Sequence, residues 1–115
     1  MADTPLPSAD TAPILAQLTT APGFERLREL AGDGVDGTIL AAILQEAAKF
    51  ASGHLAPFNV AADRIGCRIE DGRVKTAPGH KAAWDAYRQA GWMGLDQPET
   101  IGGQGLPVSV LAACT

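Results

Sequence analysis

The sequence predicts a mainly α-helical domain carrying one small β-hairpin, and three observations predict it. Apolar residues recur at helical spacing through the longest patterned stretch, Leu40 to Leu55. Alanine supplies much of the 46% hydrophobic fraction while aromatics make up only 5%, a composition suited to thin, close-packed helices. A single Asp71-Gly72 pair separates two short alternating segments, as a hairpin requires. With 115 residues the chain reads as one domain, able to bury roughly two thirds of its unfolded surface.

Taken in order, residues 1–13 hold Pro5, Pro7 and Pro13 among Ser and Asp, with neither the basic start nor the apolar core of a signal peptide. Ile14 to Leu18 is a short apolar piece that Thr19, Thr20 and Pro22 interrupt. Phe24, Leu27 and Leu30 recur at spacing three with charges between them, one or two amphipathic turns ended by Gly32 and Gly34. Residues 1–35 are therefore read as an extension with short helices, and 36–115 as the helical domain proper.

Asp36 is the expected N-cap of the strongest helix, because its carboxylate can accept orphan N–H groups at the positive helix end. Leu40, Ile43, Leu44, Ala47, Ala51 and Leu55 form one stripe, with Gln45, Glu46, Lys49 and Ser52 off it. Pro57 lacks an N–H and disfavours helical geometry at Ala56, so a break or kink is expected there. Val60 to Ile65 is a second short segment that Gly66 ends. From Cys67 to Thr76 a type I′ turn at Asp71-Gly72 pairs Ile69 with Val74 and Cys67 with Thr76 on one face, and Glu70 with Arg73 and Arg68 with Lys75 on the other. An isolated two-stranded hairpin is marginal, so its apolar face is expected to dock on the helices. Pro78 suits the first turn of the next helix, in which Ala83, Ala86, Tyr87 and Ala90 share a face, with Gly91 and Gly94 as stops and Trp84 and Trp92 as anchors between helices.

Charge and length exclude several classes of function. The net charge is −4, the pI is near 4.9, and no basic stripe is present of the kind that duplex binding needs. The longest apolar run, Ile39 to Leu44, is far too short to span a bilayer. Cys67 and Cys114 stand too far apart for a metal pair and form no disulfide framework, so reduced thiols and a cytoplasmic setting are expected.

No catalytic, cofactor-binding, substrate-binding or metal-binding residue is assigned from spacing. Gly102-Gly103-Gln104-Gly105 could cradle a phosphate at a helix start, but it lacks the dinucleotide fingerprint and the P-loop lysine, which favours a plain tight turn. His54 and His80 have no partner at ligand spacing and read as surface or capping histidines. Glu46, Glu70 and Glu99 are isolated carboxylates, and Ser8, Ser52 and Ser109 lack a nucleophile elbow.

A set of ordered landmarks carries a resemblance. Glu46-Ala47-Ala48-Lys49-Phe50-Ala51 leads to Leu55-Ala56-Pro57-Phe58-Asn59 and then Asp63-Arg64-Ile65-Gly66. Trp84-Asp85-Ala86-Tyr87-Arg88, Ala90-Gly91-Trp92-Met93-Gly94-Leu95, Pro98-Glu99 and Ile101-Gly102-Gly103-Gln104-Gly105-Leu106-Pro107 complete the series. Together these resemble the N-terminal helical domain of acyl-CoA dehydrogenases over roughly Asp36 to Cys114. The hairpin and the segment before Asp36 resemble the larger bacterial branch that includes 3-methylmercaptopropionyl-CoA dehydrogenases. Ile101 stands where many relatives carry an aromatic residue.

The resemblance implies an FAD-dependent α,β-dehydrogenation of an acyl-CoA thioester to a 2-enoyl-CoA. It implies flavin contacts and a carboxylate base beyond Thr115, so the chain alone is expected to bind no FAD and to be inactive. At most, Gly102, Gly103 and Leu106 shape the entry to a helix bordering the acyl pocket. The domain is read as incomplete at its C-terminal end, with Leu106, Val108, Val110, Leu111 and Ala112 lacking part of their packing and seeking a partner. The partners implied are acyl-CoA, the remainder of the dehydrogenase or a sister subunit of a split enzyme, and a second copy in a homo-oligomer. A non-catalytic helical interaction module and a small acyl-binding protein are the alternatives.

Overall fold

In a computed structural model, described here for residues 8–115, the chain is mainly helical with one antiparallel hairpin, as the sequence predicts. Helix α1, Thr11–Thr20, starts where the Asp10 carboxylate accepts the Ala12 N–H at 3.2 Å. Helix α2, Phe24–Ala31, follows Gly23 and leads through a 3-10 turn, Gly32–Val35, to α3, Gly37–Phe50. Asp36 caps α3 as expected. The Thr38 N–H that its carboxylate accepts holds Asp36 below the usual carboxylate range.

The core lies where α1, α3 and the last helix meet. Val35, Leu40 and Val110 are each 1% exposed, with Leu15, Phe24, Ile43 and Leu106 packed around them. The expected stripe on α3 is partly right: Leu40 and Leu44 are buried and Ile43, Ala47 and Ala51 half-buried, but Leu55 is exposed. Leu15, Phe24 and Val35 precede the boundary read at residue 36, so the core runs across it. Ile14 to Leu18, read as an interrupted piece, is the middle of α1, with Pro13 inside its first turn where its missing N–H costs nothing.

Several expectations are corrected. Of the break or kink expected at Pro57, there is no break, but the regular α-helix is interrupted just before it. A π-helical turn, Ala51–Leu55, follows α3 directly and passes into α4, Ala56–Ile65. The Ala56 N–H reaches back five residues to the Ala51 carbonyl, and this wider turn accommodates the ring and missing donor of Pro57, which falls in the first turn of α4. Gly66, at φ 65°, ends α4 as expected.

The hairpin has the predicted register but not the predicted docking. Strands β1, Arg68–Glu70, and β2, Arg73–Lys75, pair Ile69 with Val74, Arg68 with Lys75 and Glu70 with Arg73. Asp71 and Gly72 take φ of 50° and 71°, the positive values of a I′ turn. Yet Ile69 is 80% exposed and Val74 67%, so both faces stand in solvent. Ala77, just beyond β2, is the buried attachment point instead.

Pro78 does not open a helix. It occupies the second position of a turn closed by the His80 N–H on the Ala77 carbonyl, with Gly79 at φ 92° in the third, a type II arrangement. Helix α5, His80–Gln89, begins after it and stops before Gly91. Of the two tryptophans, Trp92 is half-buried, whereas Trp84 is 48% exposed, stacks on Tyr87 of its own helix at 6.1 Å and lines a shallow pocket with Leu55 and Phe58. Helix α6, Val108–Cys114, follows Pro107. Of the apolar run expected to lack part of its packing, Val110 is fully buried and Leu106 packs on the core, while Val108 is 68% exposed and Ala112 is exposed too. Among the described residues no helix is long and apolar enough to cross a membrane.

Candidate functional site

The glycine-rich turn is built by backbone hydrogen bonds to a neighbouring loop. After α5, a 3-10 turn at Trp92–Gly94 and another at Glu99–Ile101 bring residues 94–98 alongside 102–106. The N–H groups of Gln104 and Leu106 donate to the carbonyls of Gly94 and Leu95, each at 2.8 Å. Those of Gly105 and Gly103 donate to Gln97 and Pro98 at 2.8 and 3.0 Å, and those of Ile101 and Gly102 to Pro98 and Glu99. Every N–H from Ile101 to Leu106 is thus committed to a carbonyl. A phosphate would find no free donor among these six, and the segment is a tight turn.

Gly103 is required by this closeness. A Cβ built there would land on the Gln97 carbonyl, far inside contact distance. Gly102 and Gly105 are required by conformation, at φ 87° and 64°. The pinned loops deliver Leu95 into the interior and Leu106 against the core, and they set the direction in which α6 departs.

Below this turn lies an open groove of about 490 Å³. One wall is α3, carrying Ala42, Ile43 and Glu46; the other holds Trp92, Leu95, Gln104 and Leu106. A shallower pocket of about 260 Å³ continues it past Lys49, Phe50 and His54. Phe50 organises the junction. Its ring stacks on His54 at 4.7 Å, meets the edge of Tyr87 at 5.9 Å and lies 6.1 Å from Trp92. The Trp92 Nε1 donor is buried with no partner, an arrangement that folded proteins rarely tolerate. Glu46 is solvent-exposed and accepts a 2.6 Å hydrogen bond from Lys49 Nζ. The groove is therefore an apolar trough with an ion pair at its rim. It can hold an apolar group, and it brings no nucleophile together with a base.

The other residues singled out from sequence are dispersed. His54 and His80 are both exposed, and His80 meets Phe58 edge-on at 6.5 Å. Glu70 forms a loose pair with Arg68 at 3.7 Å, Glu99 is exposed, and Ser52 Oγ donates to the Ala48 carbonyl. Among the described residues no three His, Cys, Asp or Glu side chains gather as a metal would need. Cys67 is exposed, and Cys114 is half-buried with its thiol pushed up by burial. Sequence reasoning missed a depression of about 670 Å³ between α1, α2 and α6, lined by Ile14, Leu18, Phe24, Leu27 and Ala112. The spacing of Ile14, Leu15 and Leu18 behind the Asp10 cap was the available signal.

Short helices around a small aliphatic core, a free I′ hairpin and a glycine-pinned loop leading into a helix carry the sequence landmarks that resemble the acyl-CoA dehydrogenase family. Comparison with characterised proteins upholds that resemblance. The chain is 40% identical over 74 residues to 3-methylmercaptopropionyl-CoA dehydrogenase of Ruegeria pomeroyi, a stretch of 64% of this chain and 13% of that protein. The matched part of this chain therefore spans only a small share of the relative's length. No protein-family model matches the chain.

Proposed function

We propose that this chain forms the N-terminal helical part of an FAD-dependent acyl-CoA dehydrogenase, acting in the cytoplasm. Residues 36–115 are the dehydrogenase-like helical domain, and residues 1–35 extend it. The observation that carries this reading is the 40% identity over 74 residues to 3-methylmercaptopropionyl-CoA dehydrogenase. When bound by the complete enzyme, FAD supplies the two-electron acceptor for α,β-dehydrogenation of an acyl-CoA thioester. The N–H groups of the glycine turn are spent on carbonyls, so that turn does not fit its phosphates. Its share is positional instead. Gly102, Gly103 and Leu106 fix the entry of α6, which borders the acyl pocket, and the remainder of the dehydrogenase or a sister subunit contributes the chemistry.

A chimera tests this reading. The 74 matching residues of this chain replace their equivalents in the Ruegeria enzyme. The product is expected to copurify with flavin and to oxidise 3-methylmercaptopropionyl-CoA with an artificial electron acceptor. A chimera that folds, by circular dichroism, yet holds no flavin overturns the reading. The 115-residue chain alone is expected to be colourless and inactive towards acyl-CoA. A yellow preparation would contradict the positional role.

A further inference from the structure

The hairpin has an exposed, unguarded edge. Every residue from Cys67 to Thr76 is exposed. In an antiparallel pair, hydrogen-bonded and non-bonded positions alternate. With a two-residue turn, Glu70–Arg73 and Arg68–Lys75 are the bonded pairs, which leaves Ile69 and Val74 as the non-bonded pair between them. The N–H and C=O of Ile69 therefore point away from β2, along the free edge of β1, and those of Val74 along the free edge of β2.

We propose that β1 is a self-association edge, which pairs antiparallel with β1 of a second copy about a two-fold axis at Ile69. The sequence Arg68-Ile69-Glu70 is self-complementary in that register. Each Arg68 faces a Glu70 of the other copy, and the two Ile69 residues exchange both backbone hydrogen bonds. The alternatives are worse. Pairing β2 with β2 sets Arg73 against Lys75 twice. Pairing β1 with β2 of another copy opposes Arg68 to Lys75 and forms an open chain rather than a closed dimer. The basic residues on β2 thus guard the outer edge, while β1 carries matched charges. The resulting four-stranded sheet aligns Val74, Ile69, Ile69 and Val74 on one face, covering part of the apolar surface that a lone hairpin leaves in water. Only the loose 3.7 Å contact of Arg68 with Glu70 on its own strand is exchanged. The proposal does not depend on the dehydrogenase reading.

Sedimentation of the 115-residue chain from about 10 µM to about 1 mM tests it, since an interface of three-residue strands is small and the dimer correspondingly weak. A monomer–dimer equilibrium is expected. Arg68→Glu should weaken it about tenfold or more, even though the introduced carboxylate then faces Lys75 and strengthens the hairpin itself. Glu70→Arg should do the same, and the double exchange Arg68→Glu/Glu70→Arg should restore dimerisation to within about threefold. Ile69→Pro, which removes the outward N–H, should abolish it. Helical circular dichroism checks each fold, and the hairpin lies off the core. A chain monomeric throughout, a dimer indifferent to either single exchange, or a double exchange that restores nothing overturns the proposal.

Discussion

The hairpin and the glycine-pinned loop are both short, both built around glycine, and held in opposite ways. The hairpin is specified from within: alternation and two positive φ values set its register, and its side chains stand in water. The loop has almost no regular structure, yet six consecutive N–H groups are committed, three of them to the loop that precedes it at Gly94, Leu95 and Gln97. At Gly72 glycine supplies a conformation, whereas at Gly103 it supplies absence, the space in which another backbone lies. The first kind of glycine affects a local equilibrium and the second the whole fold.

Substitutions should separate the two. Gly103→Ala forces the loops apart and breaks several of their hydrogen bonds, at about 1 kcal/mol each, so a loss of about 3–4 kcal/mol in urea unfolding is expected. An unchanged midpoint would show that the loops are not pinned there. Gly72→Val should cost about 1 kcal/mol, because a β-branched residue resists positive φ. With no tertiary support to lose, that cost should appear as faster amide exchange at 68–75, while amides around Leu40 stay protected. A matching global loss would mean the hairpin is coupled to the core after all.

Asp36→Ala offers an exposed cap as a scale between these extremes. The melting temperature should fall at neutral pH. The folded-state pKa of Asp36 is depressed by the Thr38 N–H, so its contribution is present above the unfolded carboxylate pKa, about 3.9, and is lost as pH falls through the lower folded value. The difference between variant and parent should therefore close in that acid window; a constant difference down to pH 2 would rule out charge as its source. The smallest effect is expected for Val74→Ser, within about 0.5 kcal/mol, because the side chain is already in solvent. A larger loss would point to a contact made by the hairpin.

What was legible in the sequence was what neighbours in the chain decide. The Asp36 cap, the I′ turn, the register of Ile69 with Val74 and the stop at Gly66 all follow from a few adjacent residues. The proline at 57 told that a hydrogen bond is lost but not how, and a π turn answered with less disruption than a break. Burial of Val110 was hidden because its partners, Val35 and Leu40, lie far back along the chain. Leu106 was read as shaping the entry to the helix after the turn, but the groove beneath could not be foreseen. Ala42 and Glu46 line it from beside the core stripe together with the stripe's own Ile43, and the Trp92 donor gives no local sign of being orphaned.

The position of Val110 also orders events in time. Helices α1 and α3 are synthesised first, yet the residue that seals the contact between Val35 and Leu40 arrives only later, with α6. Closing that long loop is the slow, entropy-costly step, and local helix formation cannot substitute for it. A nascent chain halted before Val110 should therefore hold its helices loosely and offer Leu40 to chaperones, and emergence of α6 should convert it abruptly to the protected state.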